Sequence, residues 1–284
     1  MNGILVINKP INYTSRDVVN KIGGILKTKK VGHTGTLDPI ATGVLVVCVG
    51  NTTKLCELLT SEYKEYIATI KLGIKTDTLD TTGTIVETKD YNITEQQIKE
   101  VLNSFLGTSI QTTPIYSAVK VNGKKLYEYA REGIEVALPT REINITNIEL
   151  LSYKDDEIIF KTTVSKGTYI RALIDDICTK LNTVGTMSSL KRTKQGIFNI
   201  EDSYTIEDIE SGNYKLISIE DALTNIETIT INEDLYNQVK NGSIIDKTFN
   251  NDIACFRYKD KIVAIYQTYH KDNCKAKPFK MFIN

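Results

Sequence analysis

Two adjoining stretches constrain this chain most: Gly32-His33-Thr34-Gly35-Thr36-Leu37-Asp38-Pro39-Ile40-Ala41-Thr42-Gly43, and the apolar run Val44-Leu45-Val46-Val47-Cys48-Val49 that follows it. A short apolar run of this kind reads as a buried strand. The stretch before it is rich in Gly and Thr, with one His and one Asp, and follows a basic cluster at Lys27, Lys29 and Lys30. Glycine permits tight turns and close approach of a ligand. Pro39 drives Asp38 away from helical backbone. The expectation is one carboxylate fixed in an open loop at the end of a core strand. On composition alone, ordinary turn chemistry is the better explanation of Asp-Pro and paired glycines. A loop this poor in side chains, however, leaves backbone groups in need of partners, which a ligand can supply. The stretch lacks the Gly-Lys-Ser/Thr ending of a phosphate-binding P-loop, which argues against nucleoside triphosphate hydrolysis.

The chain has 284 residues, enough for one large domain and a small one. Its 41% hydrophobic and 25% charged residues are those of a soluble globular protein. No apolar stretch approaches the roughly 20 residues of a membrane helix. The N-terminus has no basic segment before its short apolar run and reads as a strand, not a signal peptide. Cys48, Cys56, Cys178, Cys255 and Cys274 form no C-x-x-C pair. Several lie in apolar runs, so free thiols in a reducing cytoplasm are expected. With His33 and His270 the only histidines, no metal site is expected. The formal net charge is zero, which counts against bulk nucleic-acid binding. Local clusters remain, at Lys27/Lys29/Lys30, Lys120/Lys124/Lys125 and Lys191/Arg192/Lys194. For any one of them alone, a solvated face is the better reading.

Taken in order, residues 3–7 read as a strand. Residues 14–28 read as a helix opened by a Thr14-x-x-Asp17 capping box. Residues 64–72 alternate, with Tyr66, Ala68, Ile70 and Leu72 on one face. A turn-rich segment, 76–83, precedes a strand at 84–88 and a helix at 94–105. Asn122-Gly123 predicts a primed hairpin turn. A short helix then stops at Gly133. Long strands at 142–152 and 157–164 meet at Asp155-Asp156. Residues 168–181 read as a helix, and 189–198 as a basic turn leading into a strand. Past residue 225 short β-rich pieces dominate, around a Lys259-Asp260 turn. Long strands mixed irregularly with helices indicate an α+β fold, with a mixed, mostly antiparallel sheet flanked by helices. The expected division is a domain over 1–225, carrying a basic flap at about 120–141, and a small β-rich domain over 226–284, marginal if isolated.

Five segments, taken together, resemble one family. They are Lys9-Pro10 with Thr14-Ser15, the Gly32–Gly43 stretch, Tyr63-Lys64-Glu65-Tyr66, Thr76-Asp77-Thr78-Leu79-Asp80, and Ser165-Lys166-Gly167-Thr168-Tyr169-Ile170-Arg171. Their order and spacing are similar to those of the TruB family, the bacterial tRNA pseudouridine-55 synthases. The likeness runs from residue 3 to about 200. It implies the pseudouridine synthase fold and conversion of a uridine in the T arm of tRNA to pseudouridine, with no cofactor or metal. It implies that Asp38 is the catalytic aspartate, that Tyr66 packs on the target base and that Arg171 pairs with Asp38. It also implies that His33 holds the loop open where the nucleotide flips out, and that Asp80, Tyr169 and Leu190 line the uridine pocket. Lys9 and Pro10 belong to a supporting motif. The chain departs from the family at Asn12, where the motif has glycine, and its C-terminal part matches the relatives' RNA-binding module weakly, as if truncated.

The chemistry breaks N1–C1′, turns the base and joins C5 to C1′. A carboxylate serves either as nucleophile at C1′ or as base at C2′. Burial alone would raise the pKa of Asp38, and an adjacent guanidinium reverses that. A uridine in a folded loop must be flipped out. Tyr66 offers a face for stacking first and a base for C5 second. Lys124, Lys125, Arg131 and Arg141 are expected to contact RNA phosphates. The overall expectation is a monomeric, cytoplasmic isomerase whose partner is tRNA. Rival readings are a tRNA-binding or folding protein, a hydrolase using Asp38, and a synthase of the same fold acting on another RNA.

Overall fold

The computed structural model describes residues 1–60 and 63–283. The chain opens with β1 (Gly3–Lys9), α1 (Ser15–Ile25), β2 (Val31–His33) and β3 (Ala41–Val49). Helix α1 starts at the expected capping box: the Asp17 amide donates to Thr14 Oγ1 at 3.1 Å, and the Thr14 amide donates back to Asp17 Oδ2 at 2.9 Å. It ends earlier than its apolar spacing suggests, because Lys27 turns to φ 52°. Its buried face, Val18 and Ile22, packs on Leu5 and Leu45 of the sheet.

Next come β4 (Tyr63–Leu72), β5 (Ile74–Thr76), β6 (Ile85–Thr88), α2 (Glu95–Asn103), β7 (Gly107–Thr112), β8 (Lys120–Val121), β9 (Lys124–Lys125) and α3 (Leu126–Glu132). They are followed by β10 (Thr140–Lys154), β11 (Glu157–Ser165), α4 (Ile170–Lys180), β12 (Gly185–Gln195) and β13 (Phe198–Asn199). Among the described residues, nine strands form one sheet in the order β1-β3-β12-β4-β11-β10-β7, with β2 added on β3 and β13 on β12. The two hairpin turns read from sequence are present, with positive φ at both Asn122 and Gly123 and at both Asp155 and Asp156.

Within this sheet, among the described residues, one strand pairing is parallel, β12 with β3, which sets Leu190 opposite Ala41 and Arg192 opposite Gly43. The backbones meet so closely there that a Cβ on Gly43 (φ 95°) would lie 2.2 Å from the Arg192 carbonyl oxygen. Residues 189–198 are therefore not a basic turn. They continue a strand whose side chains alternate, so Lys191 and Lys194 are exposed while Arg192 is wholly buried. The solvated cluster expected at Lys191/Arg192/Lys194 does not exist as such.

Helices α2 and α4 cover one face of the sheet, where Ile98, Leu102, Leu173 and Ile177 pack with Ile70 and Phe160. Short helices α5 (Ile206–Glu210) and α6 (Ile219–Ala222) then lead to β14 (Thr228–Thr230), α7 (Glu233–Lys240), β15 (Ile245–Asp246), β16 (Ile253–Tyr258), β17 (Lys261–Tyr269) and β18 (Asp272–Met281). These strands make a second sheet in the order β14-β16-β17-β18-β15. Cys255, Ile262 and Ile265 of this sheet pack against Ile4, Val6, Val44 and Val46 of the first. That shared apolar contact supplies burial that so short a segment lacks alone.

Candidate active site

The loop that carries Asp38 is shorter than the sequence suggested. Gly32 and His33 belong to β2 and Ala41–Gly43 to β3, which leaves residues 34–40. Leu37 turns into the core, 4% exposed. Asp38 turns the other way, into a cavity of roughly 470 Å³. Its side chain is 36% exposed, so the carboxylate stands at an open wall and is not buried as expected.

Arg171, in the first turn of α4 and 7% exposed at its side chain, meets this carboxylate edge-on: Nε lies 3.0 Å from Oδ2, and Nη2 donates to Oδ1 at 3.4 Å. The remaining donors go to backbone, Nη1 to the Thr78 carbonyl at 2.9 Å and Nη2 to the Tyr116 carbonyl at 3.0 Å. The guanidinium fork thus meets the carboxylate at both oxygens and fixes its plane. It also ties together the loop, the 76–83 turn and Tyr116, on the segment that leads into the flap.

Tyr66, Tyr169 and Leu190 line the same cavity. Tyr66 comes from the buried face of β4 and Leu190 from β12, which are paired in the sheet. Tyr169 precedes α4, and its ring lies under the Arg141 guanidinium at 5.3 Å. From the flap side, Tyr116 and Tyr127 complete the wall.

Other expected residues stand elsewhere. Asp80 is 5% exposed and does not line the cavity. It accepts from Thr78 and Thr82, and its Oδ2 lies 3.8 Å from Arg171 Nη1, behind the guanidinium. His33 pairs opposite Val47 in the sheet and is also off the cavity wall. Burial, then the charges of Arg16 and Arg192, push its pKa below the usual value, and its Nδ1 is buried without a partner. Lys9 is wholly buried and donates to the carbonyls of Pro10, Tyr13 and Pro39 at 2.9, 2.6 and 3.3 Å. Burial lowers its pKa to about 8, against the opposing pull of Asp38. Asn12 adopts φ 68°, a left-handed turn that asparagine tolerates, so the missing glycine costs the motif no geometry.

The flap is smaller than expected. Lys124 and Lys125 sit on its hairpin and Arg131 on α3, but Arg141 lies on β10 in the main sheet. Lys124 pairs with Glu132, and both Lys125 and Arg131 lie 5.3 Å from the Tyr127 ring. Arg141 donates to the Gly167 carbonyl at 3.2 Å and braces the turn before Tyr169.

Three polar residues to which the sequence reading assigns no role in the site stand in or behind it. Lys64 lines the cavity and is 8% exposed, and burial lowers its pKa to about 8. It continues the Tyr66–Leu72 face by one step of two, so the alternation itself contained the signal. Arg192 donates to the Val44 and Gly35 carbonyls at 2.6 and 3.1 Å. Gln111, on the outermost strand, holds the start of α4, with Oε1 accepting from the Tyr169 amide at 2.8 Å. No local pattern marks either of these two.

Residues 24–170 match the family model "TruB family pseudouridylate synthase (N terminal domain)", and residues 171–228 match "tRNA pseudouridylate synthase B C-terminal domain". The chain belongs to the TruB family. Relatives named tRNA pseudouridine synthase B include one from Clostridium tetani, 45% identical, with 94% of this chain and 96% of the relative covered. Another, from Bacillus subtilis, is 43% identical, with 100% of this chain and 98% of the relative covered. Among solved structures, a chain of a Cbf5-Nop10-Gar1 complex superposes with a TM-score of 0.72 at 25% identity, over 99% of this chain and 84% of that one. A chain of an H/ACA ribonucleoprotein bound to a substrate RNA containing 2′-deoxyuridine gives 0.74 at 23%, over 99% and 85%, a likeness of fold. The TruB fold expected from sequence is therefore the fold found. Among the described residues no helix is long and apolar enough to cross a membrane, and no group of three or more His, Cys, Asp or Glu is placed to hold a metal ion.

Proposed function

We propose that this chain isomerises uridine-55 in the T arm of tRNA to pseudouridine, with Asp38 as the catalytic carboxylate. Membership of the TruB family and nearly full-length relatives named for this reaction support the activity and its tRNA substrate. The observation that carries the role of Asp38 is its two-point contact with Arg171 at the open wall of a cavity also lined by Tyr66.

The flipped uridine enters with its base against Tyr66, while Leu190 and Tyr169 exclude water from the ring. Asp38, charged and held in plane by Arg171, acts at the sugar, at C1′ as nucleophile or at C2′ as base. The base turns within the cavity and bonds through C5. Tyr66, on the cavity wall, stacks on it first and serves as the base for the C5 proton second. Asp80 steadies Arg171 from behind instead of touching the base. His33, kept neutral by burial, braces the gap the flipped nucleotide leaves. Lys124, Lys125, Arg131 and Arg141 meet the RNA backbone, Arg141 after release from Gly167. Lys9 and Pro10 support the loop. Residues 1–225 form the catalytic domain and 226–284 a shortened RNA-binding module. The enzyme acts as a cytoplasmic monomer, without cofactor or metal.

The test is tritium release from unmodified tRNA carrying tritium at C5 of uridine, with the product mapped. Stoichiometric release at the T-arm uridine supports the reading. Tight tRNA binding without release refutes it in favour of a binding protein.

A further inference from the structure

The loop over residues 34–40 is held from behind at alternate residues by three elements. The Gly35 carbonyl accepts from Arg192 Nη2 of β12 at 3.1 Å. The Pro39 carbonyl accepts from Lys9 Nζ of β1 at 3.3 Å and from the Asn12 amide at 2.9 Å. Between them, the Leu37 amide donates to Ser15 Oγ at 2.8 Å, and the Leu37 carbonyl lies 3.2 Å from the same hydroxyl, which donates to it. One side-chain atom thus satisfies both backbone groups of the residue next to Asp38.

We propose that Ser15 is a positioning residue for the isomerisation: from the start of α1 it sets the height at which Asp38 meets Arg171 and the sugar. Ser15 has no capping duty in its own helix, because Thr14 fills that place. It is 2% exposed, so water cannot replace it. A hydroxyl is the smallest side-chain group that both donates and accepts. Without it, a buried N–H and a buried C=O lose their partners, and the loop must shift to find others. Asp38 is one residue away and shifts with it. A displacement of about 1 Å in a reacting group costs about 100-fold in rate.

The inference rests on the isomerase reading above, and one assay separates the two. In single-turnover tritium release at saturating T-arm RNA, Ser15→Ala is expected to react about 10- to 100-fold slower than wild type. Its RNA dissociation constant should stay within about threefold. Ser15→Thr, which keeps the hydroxyl, should recover most of the rate. The decisive readout is the double variant. If Ser15 acts only through the Asp38–Arg171 geometry, Ser15→Ala adds little once Arg171→Ala has removed that geometry, so the double variant should match Arg171→Ala within about threefold. Multiplying losses, or an unchanged rate in Ser15→Ala, would overturn the proposal. If Ser15→Ala does not fold, Ser15→Cys, with its weak sulfur donor, is read in the same way. No release from wild type would instead sink the isomerase reading, whatever Ser15 does.

Discussion

Replacing Arg171 with alanine is the perturbation whose size the structure fixes best. The guanidinium gives Asp38 two contacts, at 3.0 and 3.4 Å. Removing one partner of a fully buried pair costs about 3–5 kcal/mol. A fully exposed pair is worth about 0–1 kcal/mol. Here the side chains are 7% and 36% exposed, so solvent screens the carboxylate end and the pair falls between these limits. A loss of about 2–3 kcal/mol of transition-state stabilisation follows. At about 1.4 kcal/mol per tenfold, the rate falls roughly 30- to 150-fold. The carbonyls of Thr78 and Tyr116 also lose their donor, which loosens the flap and weakens RNA binding by a few fold. Arg171→Lys keeps a charge but not the planar fork, so it should lie between wild type and alanine. Single-turnover rates at saturating RNA, on protein shown folded by circular dichroism, make the measurement. A folded Arg171→Ala protein within about threefold of the wild-type rate would refute the assigned pair.

Other substitutions probe the frame around this pair. Gly43→Ala should prevent folding or lower Tm by more than about 10 °C, because its Cβ would strike the Arg192 carbonyl at 2.2 Å. Gly24→Ala, where nothing lies within 4 Å, should leave Tm unchanged or slightly higher. His33 has a folded pKa below its usual 6.5, so between that value and its lower folded pKa the unfolded chain binds more protons. Its share of stability is therefore full above pH 6.5 and is lost as pH falls, and His33→Gln should flatten the fall in Tm between about pH 6.5 and 5. A parallel pair of Tm profiles would count against this. Lys125→Gln should lower the salt dependence of RNA binding by about 0.7–0.9 in slope. Lys124→Gln should do less, since Glu132 already balances that charge. Equal and unchanged slopes would remove the flap from the RNA interface.

Local chemistry made much of the fold readable. The capping box at Thr14, the paired positive φ values at Asn122-Gly123 and Asp155-Asp156, and the alternation from Tyr66 to Leu72 each depend on near neighbours. The central loop was legible because its residues are close in sequence. Long-range packing was not legible. The parallel pairing of β12 with β3 turns Arg192 inward, 149 residues along the chain from Gly43 in the register. Nothing in Lys191-Arg192-Thr193-Lys194 distinguishes a buried guanidinium from exposed neighbours. The exposure of Asp38 was misjudged for the same reason, since it depends on how far the flap, the 165–169 turn and β4 stand from the loop. The strands β14, β15 and β18 are short or polar, and the packing of the second sheet on the first is what stabilises them.

Asp38 carries the account, and Asp38→Asn tests it most directly. The change keeps the size of the side chain and removes its charge. Tritium release from C5-labelled tRNA should disappear, while the affinity for the same tRNA stays within a few fold of wild type. Continued release by Asp38→Asn, with pseudouridine mapped to the T arm, would contradict the central claim and move the chemistry to another residue of the cavity.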